Sequence, residues 1–209
     1  MFHVLISALL LTGCSDHTEG VTVAEVQDVQ PAAQDPATPP PTEEPAAAGR
    51  VLTANGENSS LEWVGAKITK SHPGGFNAFT VEATVDGTTM TALNGTIEIG
   101  SLFSDSDRLT GHLLEDDFFG VATFPSATFA STAITATEGA NHTVTGVLEL
   151  HGMQKEISFP AAIVVAEDGT ATVDAEFTIN RSDWGIVYPG RPDDAIKEQV
   201  VVKVDFNLT

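Results

Sequence analysis

Residues 199–208 read Gln-Val-Val-Val-Lys-Val-Asp-Phe-Asn-Leu. Val200, Val202, Val204, Phe206 and Leu208 face one way and Lys203, Asp205 and Asn207 the other, the period-two pattern of a half-buried β-strand. The pattern recurs upstream. Val173, Ala175, Phe177 and Ile179 alternate with Thr172, Asp174, Glu176 and Thr178, and Ile157, Phe159, Ala161, Ile163 and Val165 form another such face. Weaker alternation covers residues 60–69, 76–86, 91–102, 126–136 and 142–150. Turn pairs separate the runs: Asp86-Gly87, Asn94-Gly95, Glu138-Gly139, His151-Gly152 and Asp168-Gly169. About eight antiparallel strands with short connections predict a closed barrel or a sandwich over residues 51–209.

One stretch breaks the pattern. His112-Leu-Leu-Glu-Asp-Asp-Phe-Phe-Gly120, with Phe124-Pro125 and Thr128-Phe129 behind it, sets paired phenylalanines after an acidic run. It predicts a short helix at about 105–117, capped by Ser104 or Asp105, that delivers aromatic rings into a cavity. A helical insert favours the barrel over the sandwich, because a barrel of this size encloses one small apolar ligand.

The N-terminus reads differently. Val4 to Leu11 is too short an apolar run to span a bilayer, which takes ~20 residues, and fits the core of a secretory signal. Leu11-Thr-Gly-Cys14 resembles the lipobox of bacterial lipoproteins, which implies that residues 1–13 are removed and Cys14 is lipidated. Cys14 is the sole cysteine, so no internal disulfide forms. Residues 14–50, rich in Pro, Ala and Glu, have little apolar surface to offset ordering and are expected to be a disordered spacer. The expectation is an exported domain held to a membrane by a lipid and standing well off it.

A net charge of −20 with nine Lys and Arg repels phosphate backbones, which argues against nucleic acid as a partner. Within so acidic a chain, Lys67, His72, Arg181 and His112 form a candidate polar cluster at a cavity mouth, with Tyr188 nearby. The bland alternative is that Lys67 and Arg181 pair structurally with Asp116, Asp183 or Glu198. Candidate apolar lining is Trp63, Phe76, Phe103, Phe118, Phe119, Phe129, Phe177 and Trp184, any of which could equally be core. Four histidines in the domain (His72, His112, His142, His151) show no paired ligand spacing, so no metal or cofactor is expected.

Trp63-Val-Gly65-Ala-Lys67 with His72 and Gly75-Phe76, Leu109-Thr-Gly-His112 with Asp117-Phe118-Phe119, Phe124-Pro-Ser-Ala-Thr-Phe129, Gly146-Val-Leu148, His151-Gly-Met-Gln-Lys155 and Asn180-Arg181-Ser-Asp-Trp184-Gly185 follow in an order that resembles the YceI-like (polyisoprenoid-binding) domain family. The resemblance covers residues 55–209. It implies a lipocalin-like barrel whose interior holds an isoprenoid or similar long-chain lipid, with no reaction established for the family. Asn180, Leu114 and Glu198-Gln199 depart from its pattern, at the headgroup end. Two other readings stay open: a small hydrolase or isomerase using His72 or His112 with Lys67 and Asp116, and a structural adaptor with a filled interior. The oligomeric state, a homodimer included, is left open.

Overall fold

The computed structural model describes residues 17–29 and 49–209. The proposed signal (residues 1–13), Cys14 and most of the spacer lie outside the described residues. In chain order the strands are β1 (Thr22–Val23), β2 (Glu25–Asp28), β3 (Arg50–Asn55), β4 (Ser60–Ala66), β5 (Ser71–Phe76), β6 (Phe79–Asp86), β7 (Thr89–Glu98) and β8 (Leu102–Ser104). Helix α1 (Asp107–Leu113) follows, then β9 (Ser126–Ala136), β10 (Asn141–Leu150), β11 (Met153–Val165), β12 (Ala171–Asn180), β13 (Gly190–Arg191), β14 (Asp194–Ala195) and β15 (Gln199–Leu208). All eight alternating runs are strands.

They form one curled sheet in the order β3-β6-β7-β9-β10-β11-β12-β15-β4-β5-β8, every pair in that path antiparallel. Edge strand β3 comes back to the end of β15: Thr53 N–H donates to Thr209 O at 2.9 Å and Thr209 N–H to Thr53 O at 3.0 Å. The sheet thereby rolls into the expected barrel. Inward residues of both ends of the path share one core, from Leu52, Val81 and Leu93 to Phe159, Val173, Phe177 and Phe206. Burial of such side chains stabilises the fold by about 1.5–3 kcal/mol each.

Three local expectations are corrected. The helix is shorter than 105–117, ending at Leu113 with Leu114 as its cap. Glu115, Asp116 and Asp117 sit beyond the negative end of the helix dipole, where carboxylates disfavour continuation. Neither Ser104 nor Asp105 caps it. Ser106 holds that position without a side-chain hydrogen bond, because Ser104 Oγ is tied to Thr110 Oγ1 (2.9 Å) and Asp105 to His72. Part of the supposed spacer is ordered against the barrel: β1 pairs in parallel with Phe177-Thr178, and β2 pairs antiparallel with Lys155–Ser158.

Candidate functional site

The barrel encloses a cavity of about 990 Å³, at the upper end of the ~300–1,000 Å³ usual for ligand pockets. Its wall draws on most strands of the barrel. Phe79 and Val81 come from β6, Leu93 and Ile97 from β7, Phe129 from β9, Leu148 and Leu150 from β10, Ile157 and Phe159 from β11, and Val200, Val202, Val204 and Phe206 from β15. Phe159 and Phe177 stack at 4.2 Å between ring centres and 15° between planes, and Phe129 leans on Phe159 at 5.8 Å. Such offset aromatic pairs add about 0.5–1.5 kcal/mol beyond area burial.

Charged side chains gather at one end. There the β4–β5 turn, the start of β15 and the segment after β12 come together, joined by the Lys67–Ile196 bridge. Lys67, His72, Arg108, His112, Arg181 and Lys197 all border the cavity at this end. Tyr188, on the segment after β12, meets α1 edge-on through His112, with centroids 5.1 Å apart, and lies 5.0 Å from Phe118. Helix and segment together cover this end of the barrel.

Ten of the thirteen expected ligand-facing residues line the cavity: Trp63, Lys67, His72, Phe76, His112, Phe118, Phe119, Phe129, Phe177 and Arg181. Three do not. Phe103 is 38% exposed and lies over the outer face of Gly75, its ring 2.8 Å from where a Cβ there would stand. Trp184 is fully buried with its Nε1 donating to Leu148 O at 3.2 Å, so it is core. Tyr188 packs on the far side of His112 and Phe118. Phe79, Phe159 and Phe206 line the wall but escaped the candidate list. Their signal was their place on the inward face of alternating strands.

Arg181 is 7% exposed, and its guanidinium donates to the carbonyls of Lys197 (3.1 Å), Tyr188 (2.9 Å), Ile196 (3.3 Å) and Ile186. Burial pulls its pKa down and the nearby Glu198 charge partly restores it. Arg181 therefore pins the segment 186–197 over the mouth through backbone oxygens, and the expected ion pairs with Asp116 or Asp183 are not what holds it. Lys67 pairs with Asp194, which also accepts from Thr69 N (3.1 Å) and Thr69 Oγ1 (2.9 Å). The Lys67 hydrogen bond, with those from Thr69, holds the Asp194 carboxyl below the usual range against partial desolvation.

His72 Nδ1 lies 2.8 Å from Asp105 Oδ1, and His112 Nε2 lies 3.1 Å from Asp117 Oδ2. Three residues of the hydrolase reading are thus each held by a different carboxylate: Lys67 by Asp194, His72 by Asp105 and His112 by Asp117. Spacing gave no metal site, yet His112, Glu115 and Asp117 bring one ligand atom each to within 4.8 Å of one another. They could accept a cation, although Glu115 and Asp117 are exposed acids of a common kind. Within the wall, Trp63 Nε1 is buried and has no hydrogen-bond partner among the described residues. Its indole lies flat against Gly74, where a Cβ would stand 2.3 Å from Trp63 Cζ2. Only glycine fits there.

An antiparallel barrel curled around an apolar interior, with its polar groups at one end, is a lipocalin-like architecture. The family model described as "YceI-like domain" matches residues 52–208, and the chain belongs to that family. It is 28% identical over 159 residues to a UPF0312 protein of Pseudomonas fluorescens, covering 68% of this chain and 82% of that one. A UPF0312 protein of Pseudomonas savastanoi is 35% identical over 103 residues, covering 47% of this chain and 54% of its relative. Among solved structures, Burkholderia cenocepacia BcnA superposes with a TM-score of 0.68 at 23% identity, over 75% of this chain and 99% of that one. A polyisoprenoid binding domain from Saccharophagus degradans, implicated in plant cell wall breakdown, superposes at 0.62 and 17% identity, over 77% and 98%.

Proposed function

We propose that this domain binds an isoprenoid or another long-chain amphiphile inside the barrel, with the polar end of the ligand toward Lys67, His72 and His112. The observation that carries the reading is the cavity: about 990 Å³ walled by aliphatic and aromatic side chains, with charged groups at one end. A long apolar ligand needs a continuous dry wall and few polar contacts to orient it. The polyisoprenoid-binding description of the S. degradans relative points the same way. Native mass spectrometry of the chain purified from its own host, followed by lipid extraction, tests it. A stoichiometric long-chain adduct is expected; a clean apo mass that persists after incubation with lipid mixtures would reject the reading.

The same proposal includes export and lipidation at Cys14, on the strength of the Val4–Leu11 run and Leu11-Thr-Gly-Cys14. Labelled palmitate should enter the wild-type chain in bacteria and fail to enter Cys14→Ser. One contact alters what such an anchor would do. His17 Nε2 lies 3.0 Å from Gln199 O, at the start of β15 where Lys197 borders the mouth. Three residues extend at most ~11 Å. A membrane anchor at Cys14 therefore keeps the mouth close to the lipid surface, where a free-swinging spacer would hold it away.

A further inference from the structure

Strands β11 and β12 are neighbours over only part of their lengths. They pair at Ala162–Val165 and Ala171–Asp174, then splay. Into the gap runs the segment 22–28. Thr22 and Val23 lie opposite Phe177 and Thr178, Ala24 N–H donates to Thr178 O at 2.9 Å, and residues 25–28 lie opposite Ser158 through Lys155. One extended segment thus fills the sheet between two strands, parallel to one and antiparallel to the other, while none of its own side chains lines the cavity. The inner side chains that flank the gap, Ile157, Phe159, Phe177 and Ile179, all line the cavity. Ala24 is 4% exposed and, with Val26, packs against the same core.

This piece of wall is weakly held compared with its neighbours. Thr22, Val23, Glu25, Gln27 and Asp28 are exposed, so Ala24 and Val26 supply what apolar anchoring there is. Besides its backbone pairing, side-chain ties hold it at one end, Lys155 with Asp28, and before the other, His17 with Gln199 O. A segment with so few buried side chains opens locally at low free energy. β11 and β12 do not depend on it for their position. Each keeps its other edge fully paired, to β10 and to β15, and both stay joined beyond Ala162. Loss of the segment would leave the barrel standing with a slot one strand wide, ~4.8 Å, along the cavity. Residues 22–28 lie outside the family-matched region 52–208.

We propose that residues 22–28 are a removable stave, and that a long-chain ligand enters and leaves sideways through the β11–β12 slot when the stave lifts. The inference rests on the lipid-binding reading of the cavity. Gln27 and Glu156 are direct cross-strand partners facing away from the cavity side shared by Val26 and Ile157. Gln27→Cys with Glu156→Cys, in the full chain carrying Cys14→Ser, should therefore form a disulfide that locks the stave shut. The probe is retinol, a fluorescent isoprenoid. In the oxidised double variant, retinol transfer to phosphatidylcholine vesicles should slow about ten-fold or more, with reductant restoring it and equilibrium affinity unchanged. Equal transfer rates in the oxidised and reduced forms would overturn the stave while leaving the cavity reading intact. Failure of both forms to take up retinol would overturn the cavity reading and the stave with it. Amide exchange of the ligand-free chain gives a second, lipid-independent check. Residues 24–28 should exchange about ten-fold or more faster than Ala162–Val165, and equal protection would overturn the proposal.

Discussion

The two tryptophans differ in what their indole N–H groups meet. Trp184 Nε1 donates to Leu148 O from a fully buried ring, whereas Trp63 Nε1 is buried against the cavity with no partner among the described residues. Trp184→Phe removes a satisfied donor and should cost about 1–3 kcal/mol in urea unfolding. Trp63→Phe removes an unsatisfied one and should cost no more than about 1 kcal/mol. A larger loss at Trp63 than at Trp184 would mean the two assignments are reversed. Phe118 is buried in the lining, in contact with His112 and Tyr188. Phe118→Asp should abolish retinol uptake, and the wild-type circular dichroism spectrum is the control for folding. In the sequence, Trp184 and Phe103 read as lining because ring type says nothing of direction. Which face a ring takes is fixed by strand register and by what lies opposite.

Two elements set the shape of the mouth, and their sequences were legible to different degrees. Strand β5, Ser-His-Pro-Gly-Gly-Phe, carries a proline and two glycines that disfavour a strand, yet it is one because Gly74 and Gly75 let Trp63 and Phe103 lie against its two faces. The β10–β11 turn was readable from His151-Gly152, whose φ values of 51° and 71° are both left-handed. Gly152→Ala should destabilise by about 1–2 kcal/mol from backbone strain alone. It should do more besides, since its Cβ would stand 2.5 Å from Phe124 Cε1. Acid should loosen the mouth before the barrel. The His72 hydrogen bond, then that from Lys70, holds the Asp105 carboxyl below the ordinary range despite some desolvation, and Asp194 is held low by Lys67 and Thr69. A carboxyl with a depressed folded pKa contributes stability above its unfolded value of ~3.9, and the contribution disappears as pH falls through the folded value. Below about pH 4, amide signals of residues 67–76 and 186–197 should therefore broaden first, and Asp105→Asn should remove part of that pH dependence.

At the scale of the molecule, the eight alternating runs announced the barrel because each buries one face and wets the other. The stave did not announce itself. Thr-Val-Ala-Glu-Val-Gln-Asp presents only Ala24 and Val26 to the core, and the edges that receive it exist only after β11 and β12 have splayed. No local pattern encodes a partner that distant. Without residues 1–30 the chain should remain a barrel but expose the unpaired edges at Lys155–Ser158 and Phe177-Thr178. Open edges invite pairing with another chain. Light scattering should then show concentration-dependent dimers in the truncated protein and a monomer in the full one; two monomers would mean that the edges are protected some other way.

The stave also bears on the order in which the barrel is assembled. Residues 22–28 are synthesised well before the strands that receive them, Lys155–Ser158 and Phe177-Thr178. Contacts across so long a stretch of chain form late, because their loop-closure entropy is met only after nearer pairings are in place. During that interval the interior is already walled by its other strands and still open along one line. On the lipid-binding proposal, a hydrophobic molecule present while the chain folds can be enclosed then, so the first ligand would be acquired as part of maturation.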